Sequence, residues 1–511
     1  TVGEVINNED GTFNYNPNGQ FESLNEGETA TDSFTYTVSD GNGGTDTTTI
    51  TITVEGVDDD LITALVIDNL EDEDDGDLSL GDVSLREAIG AIADGGIITF
   101  DSAIAGETIT LNGLELVIDK PLTIDGNTNN ITIDADGSSR VFNVDDGDSE
   151  SAIAVTLNGL TITGGSVLGD GGGIFNVENL TLSNSILSGN STEDEGGGIY
   201  NDGTVTLTNS TISGNLAQEG GGIYNRGSLS LSNSIISDNS ANYGGGINNA
   251  SGFVSLSNST VSGNSANYGG GILNRDSLSV TNSTFSDNTA GNKGGGIDNS
   301  YGSTTSFSNS TVSGNTAAQE GGGIFNRDSL SVTNSTFSEN WAQAGGGIFN
   351  QDGGEGSGGT TTLVNSIVAN SESGGDLYNL GNGIINARSN LIESNADQIN
   401  GINENNITGQ DPQISPLQDN GGTTLTHALL AGSPAIEAGD NAQIPPDTPF
   451  DQRGAGFDRV IDDSVDLGAL EADLNDLPIA NDDSEVGFIT DEDTPFTTGN
   501  VLNNDTDPDD D

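Results

Sequence analysis

Clustered carboxylates at short spacing are the most open chemistry in this sequence. Asp40, Asn42 and Asp46 fall in one glycine-rich turn, and Asp58, Asp59 and Asp60 are consecutive. Asn481, Asp482 and Asp483 repeat that arrangement, and Asp505, Asp507 and Asp509 alternate along the chain. Sets of oxygen donors like these suit hard cations, and Ca²⁺ is the expected ion. The run Asp72–Asp77 stands apart and reads as a solvated linker.

A second chemistry is carbohydrate cleavage, which needs paired carboxylates converging on one bond, or a cationic base. Arg226, Arg275 and Arg327 recur in one column, with Asp276 and Asp328 beside the last two. Alternating Arg and Asp is more often a solvated corner, so a saccharide-binding or saccharide-cleaving strip is the alternative reading. His427 is the single histidine, for which a structural role is expected, and Trp341 is the one Trp, an isolated stacking surface. Asn-Ser-Thr triplets begin at 209, 258, 282, 309 and 334, but they coincide with a repeated Asn column that explains them structurally. A threonine ladder at Thr260, Thr284, Thr311 and Thr336 is interrupted in its column by Ile186, Ile235 and Ile367. The expectation is therefore a non-enzymatic protein.

Composition narrows the partners. The 511 residues include 79 Asp+Glu against 10 Lys+Arg, a formal net charge of −69, with no Cys and no Met. Nucleic acid is excluded, because phosphates need a basic surface, and anionic membranes are disfavoured for the same reason. Thiol catalysis, disulfides and Cys-ligated metals are impossible. Residues 1–80 and 473–511 contain no cation and carry 33 of the net charges, whereas residues 171–350 carry only 13 acids and 4 cations.

The elements that must position these residues come from a repeat. Gly-Gly-Gly-Ile begins at 171, 196, 220, 244, 269, 294, 321 and 345. One Asn column follows it (Asn176 to Asn350), a second runs from Asn184 to Asn365, and a third closes each copy from Asn190 to Asn370. Between turns the chain alternates apolar and polar, as in Ser228-Leu229-Ser230-Leu231-Ser232, which is the period of a strand. A unit of 24–25 residues with short strands and Gly or Asn corners predicts one coil of a parallel β-helix. The Asn amides are expected to bond from coil to coil. One such coil cannot bury its apolar face alone, so stacking and end caps are required. The cap is expected at Asp82–Ile92, which has an Asp or Ser N-cap and helical apolar spacing. Residues 97–163 read as less regular coils, giving about eleven coils up to residue 370.

The glycine repeats, with Phe285-Ser-Asp-Asn288 and Phe337-Ser-Glu-Asn340, resemble those of polymorphic outer-membrane proteins and related adhesin passengers. Ser84-Leu85-Arg86-Glu87-Ala88-Ile89 resembles the helical start of bacterial surface right-handed parallel β-helix proteins, with Val83 where that family usually has Cys. Residues 411–471, with Asp411-Pro412-Gln413, Gly421-Gly422-Thr423-Thr424-Leu425-Thr426-His427 and Asp466-Leu467-Gly468-Ala469-Leu470-Glu471, resemble the choice-of-anchor Q domain. Residues 12–57 and 479–511 resemble the last and first strands of cadherin-like or VCBS-type repeats, which implies Ca²⁺ at their junctions and partial β-sandwich modules. The expected class is all-β, divided as follows: 1–60, half a cadherin-like sandwich; 61–96, linker and helical cap; 97–375, parallel β-helix; 376–474, a Q-like C-terminal region; 475–511, strands of a further module. A secreted or cell-surface stalk or adhesin is expected, without membrane insertion in this segment. Its expected partners are other copies, adjacent modules or surface polysaccharide; the partial modules are expected either as one period of a longer tandem chain or as halves that join copies head to tail by strand addition.

Overall fold

The computed structural model of the chain describes residues 3–473 apart from 8–11, 18–20, 22–23, 25–27, 40–42, 56–61, 127–128, 301, 353–358, 447 and 462. The glycine and Asn spacing produces the expected stack. Three parallel sheets of 11, 13 and 14 strands run its length, about a dozen turns. At roughly 4.8 Å per coil the longest sheet extends about 60 Å. The stack is longer than the sequence count because it already starts at Ala64–Ile67 and continues to Ile407–Thr408.

One coil shows why. Ile223–Asn225 lies in the eleven-stranded sheet, Ser228–Ser232 in the fourteen-stranded sheet and Ile235–Ser237 in the thirteen-stranded sheet. Ile223, Leu229, Leu231 and Ile236 point inward and are 0–1% exposed, while the hydroxyls between them face out. Register is strict from coil to coil, as in Ile199↔Ile223↔Ile247. Gly220 turns the corner at φ +64, and a Cβ on Gly221 would lie 2.5 Å from the Gly245 carbonyl of the next coil.

Two of the three Asn columns are internal ladders. Asn201 Nδ2 donates to Asn225 Oδ1 (2.7 Å), whose own Nδ2 donates to Asn249 Oδ1 (2.9 Å). The closing column does the same from Asn215 to Asn239 and on to Asn264. The middle column differs. Asn184, Asn209, Asn233 and Asn258 occupy the left-handed region and mark the turn, and the following serines supply the buried ladder. Ser210 N, for example, donates to Ser234 Oγ at 3.2 Å. The inner ladder at that corner is serine because Asn is spent on the positive-φ turn.

Both ends are closed. Helix α1 (Leu85–Ala91) carries the capping box of Ser84 and Glu87 and buries Leu85, Ala88 and Ile89. Asp72 departs from the solvated linker expected for its acidic run. It is 7% exposed, chelates Arg86 at 2.7 and 2.9 Å and accepts from Asn112 N. At the far end Ala396 and Ile399 pack against the core.

The N-terminal module has two antiparallel hairpins, Glu4–Asn7 with Phe13–Asn16 and Thr29–Ser39 with Thr45–Glu55. Phe13 packs on Phe34 and Tyr36, and buried Asp32 accepts from Gly3 N and Tyr15 Oη.

Residues 409–473 have few strand pairings and fold back over the outer face of the thirteen-stranded sheet. Thr284 Oγ1 donates to Leu425 O, Asn309 Nδ2 to Phe450 O, and Thr311 Oγ1 to Gln452 Oε1. Asn365 exchanges bonds with Asp440, and Ala469 N donates to Thr336 Oγ1. Leu429, Ala435 and Leu467 pack over Ile367 and Leu391.

Candidate functional face

Most residues expected to hold Ca²⁺ lie outside the described residues: Asp40, Asn42, Asp58, Asp59, Asp60, Asn481, Asp482, Asp483, Asp505, Asp507 and Asp509. Asp46 is described. It sits exposed in the second strand of its hairpin, opposite Val38, and its Oδ1 accepts from Thr47 N (2.9 Å).

Sequence reasoning missed a different acidic set. Asp145, Asp146 and Glu178 place carboxylate oxygens within 4.8 Å of one another, the only such group among the described residues. The Asp145-Asp146-Gly147-Asp148 turn supplies two of them, and the next coil supplies Glu178 from below. Glu178 is 2% exposed and accepts from Ile153 N and Asp146 N, and burial pushes its carboxyl above the usual range. The turn's Asp-rich spelling was the available signal, but the contribution of Glu178 depends on coil stacking.

The arginine column lies on a charged and aromatic face beside the glycine corners. Five of the ten Lys+Arg gather there: Arg140, Arg226, Arg275, Lys293 and Arg327. The outward column of the eleven-stranded sheet stacks Phe175, Tyr200 and Tyr224 at one end and Phe325, Phe349 and Tyr378 at the other. Between them stand Asn248, Leu273 and Asp298. In that gap the neighbouring corner row supplies the rings, Tyr243 stacked on Tyr268 at 5.5 Å.

The charges on this face are engaged with it. Arg226 Nη1 donates to Tyr200 Oη (3.1 Å). Arg275 pairs with Glu219 (3.4 Å), donates to Asn248 Oδ1 and lies over the Tyr243 ring. Lys293 pairs with Glu320 (2.6 Å), and both Lys293 and Arg327 stand over Phe325. Asp276 and Asp328 accept from Gly252 N and Gly302 N, bracing turns rather than converging on a bond. Asp298 is 5% exposed with an unbonded Oδ1. Burial pushes it to about 7 against the pull of Arg327, Lys293 and Arg275. What this arrangement does chemically is seal the sheet's flank with cation–π and ionic contacts.

His427 is 2% exposed, held between Ser415 O (2.7 Å) and Ser313 Oγ (2.9 Å), and burial lowers its pKa. It fastens the docked segment to the sheet, the structural role expected for it. Of the threonine ladder, Thr284, Thr311 and Thr336 are covered by that segment. Trp341 is half-buried in a row of corner residues between Thr316 and Ser373.

A parallel β-solenoid of stacked coils preceded by a cadherin-like module is the architecture of a surface repeat protein of the adhesin type. Comparison with known families agrees. Residues 1–56 match the bacterial cadherin-like domain, and residues 282–300 and 309–327 match the Chlamydia polymorphic membrane protein repeat. No curated protein matches the chain. Among the described residues no helix is long and apolar enough to cross a membrane.

Proposed function

We propose that the chain is a non-enzymatic, cell-surface structural and adhesive rod, stiffened by Ca²⁺ at its acidic loops. The observation that carries this reading is the stack of paired strands from Ala64 to Thr408, in which inner Asn and Ser ladders satisfy buried polar groups coil after coil from Asn176 onward. Such a stack resists bending and holds whatever it presents at a fixed distance from its anchor. Ca²⁺ is assigned to the acidic loops of the flanking modules, with Asp46 at the start of the adjoining strand, and with Asp145, Asp146 and Glu178 as a further candidate. Modules of successive copies would join by strand addition to build filaments.

Thermal melting with and without EDTA tests the metal. Saturating Ca²⁺ should stabilise by more than about 1 kcal/mol. Incubation with an array of acidic polysaccharides tests the non-enzymatic reading, and any turnover defeats it. Analytical ultracentrifugation with Ca²⁺ present should show concentration-dependent end-to-end assembly, and a concentration-independent monomer removes the filament.

A further inference from the structure

Among the described residues, the thirteen-stranded sheet is covered along only part of its length. Beyond the docked segment, the same outward column continues in strict register as Thr260, Ile235, Thr211, Ile186 and Thr161, and then as Thr132 and Thr108. Ile186 and Ile235 are 46% and 44% exposed there, whereas Ile367 and Leu391, further along that column, are 1% and 0% exposed beneath Leu429, Ala435 and Leu467. We propose that this bare strip is a docking site for an extended polypeptide segment of another protein, lying along the solenoid axis and presenting an aliphatic side chain every third residue.

Three observations point to that occupant. First, the strip continues an interface this chain already makes with polypeptide. On the covered part the sheet grips backbone groups, with Thr284 Oγ1 on Leu425 O, Asn309 on Phe450 O, and Asn365 on both polar groups of Asp440. The bare part repeats those donors and acceptors, with Thr211 and Thr260 in the column and Asn209 and Asn258 at the flanking turn. Second, the apolar positions alternate. Ile186 and Ile235 are two coils apart, about 9.6 Å, close to the roughly 9.3 Å of three residues in a polyproline II segment. Third, the strip is small. The seven strands from Thr108 to Thr260 span about 29 Å, and at a width of about 15 Å, a three-residue strand with its flanks, the area stays below the roughly 800 Å² per partner of a stable dimer. A peptide fits where a second rod would not hold. With the chain at −69, the segment will be neutral or basic.

The chain has no cysteine, so one introduced thiol reports on the strip. Thr211→Cys places it between the two isoleucines without removing either. Leu168→Cys, at a residue 77% exposed and away from the column, is the control. The probe is a synthetic (Leu-Pro-Pro)₃ peptide flanked by lysines, added to the whole chain. The expected result is that the peptide slows thiol labelling at 211 but not at 168. Adding Ile186→Ser and Ile235→Ser should weaken binding about tenfold each, with an unchanged melting temperature. Absence of slowing, or equal slowing at 168, overturns the proposal. Slow labelling at 211 before any peptide is added also overturns it, since the chain's own segment then occupies the strip. So does protection by an acidic polysaccharide with none by the peptide.

Discussion

Two parts of one sheet in this molecule carry nearly the same side chains and live in opposite environments. In the thirteen-stranded sheet Ser213 and Ser237 are partly exposed, while Ser313 and Ser338, in the same column, are 1% and 0% exposed. Thr211 faces solvent and Thr311 is buried under Gln452. The difference comes from residues 409–473, whose own buried cluster holds them down. Arg459 is 1% exposed and donates to the carbonyls of Asp466, Gly468 and Ala469, and it faces Glu471 at 3.6 Å. Covering a face thus costs this protein a buried cation and its partners. The lesson is that the repeat sets the composition of a face, and a distant segment sets its use.

That contrast can be broken at several strengths. Arg459→Met should do most, because it leaves Glu471 and three carbonyls without their partner. A loss of about 3–5 kcal/mol in the docked segment is expected. Hydrogen exchange should then rise across Thr284–Ile367 and stay unchanged across Thr161–Thr260. Removing a rung of the inner ladder should act alike in both parts. Asn264→Ala and Asn315→Ala each strand a neighbouring amide and should each cost about 1–3 kcal/mol by chemical denaturation. If only the covered rung matters, the ladder is not the common spine.

The outward threonines separate the parts more finely. Thr311→Val should cost about 1 kcal/mol by losing its bond to Gln452, and Thr211→Val should stay within about 0.5 kcal/mol. An effect of similar size, about 1 kcal/mol, is expected from pH. Burial pushes Glu471 up to about 8, above its unfolded value, so its contribution is complete below the unfolded pKa and is lost as pH rises through about 8. His427 is shifted the other way, so its contribution is lost as pH falls below its ordinary value. The docked segment should therefore loosen from pH 7 to 9, with exchange in the bare strip unaffected by this docking. Glu471→Gln should remove that dependence, and its persistence in the variant would move the cause elsewhere.

Much of the fold was legible because a period exposes itself. The glycine columns, the inward aliphatics and the Ser84–Glu87 helix start could each be read from spacing, since each answers to a local rule of turn, strand or cap. The serine ladder was hidden in plain view. Every middle-column Asn is followed by Ser or its equivalent, but only the positive φ at Asn shows that the amide leaves the interior and the hydroxyl replaces it. Asp72 was misread for a similar reason. Its partners Arg86 and Asn112 come from later in the chain, and an acidic run does not announce which of its members is paired.

The sequence by itself determined that this protein is a stacked, acidic, thiol-free β-solenoid. Periodicity and composition are properties of the chain, and local geometry turns them into coils. Tertiary structure alone decided which outer faces remain free. Glu178 joins Asp145 and Asp146 only because coils stack. Tyr243 and Tyr268 fill the gap left by Asn248 and Leu273 only because corner and column are neighbours in space. Residues 409–473 shield Thr284 and expose Thr211 through contacts spanning more than a hundred residues. Those outcomes depend on distances across the fold, and no spacing along the chain encodes them.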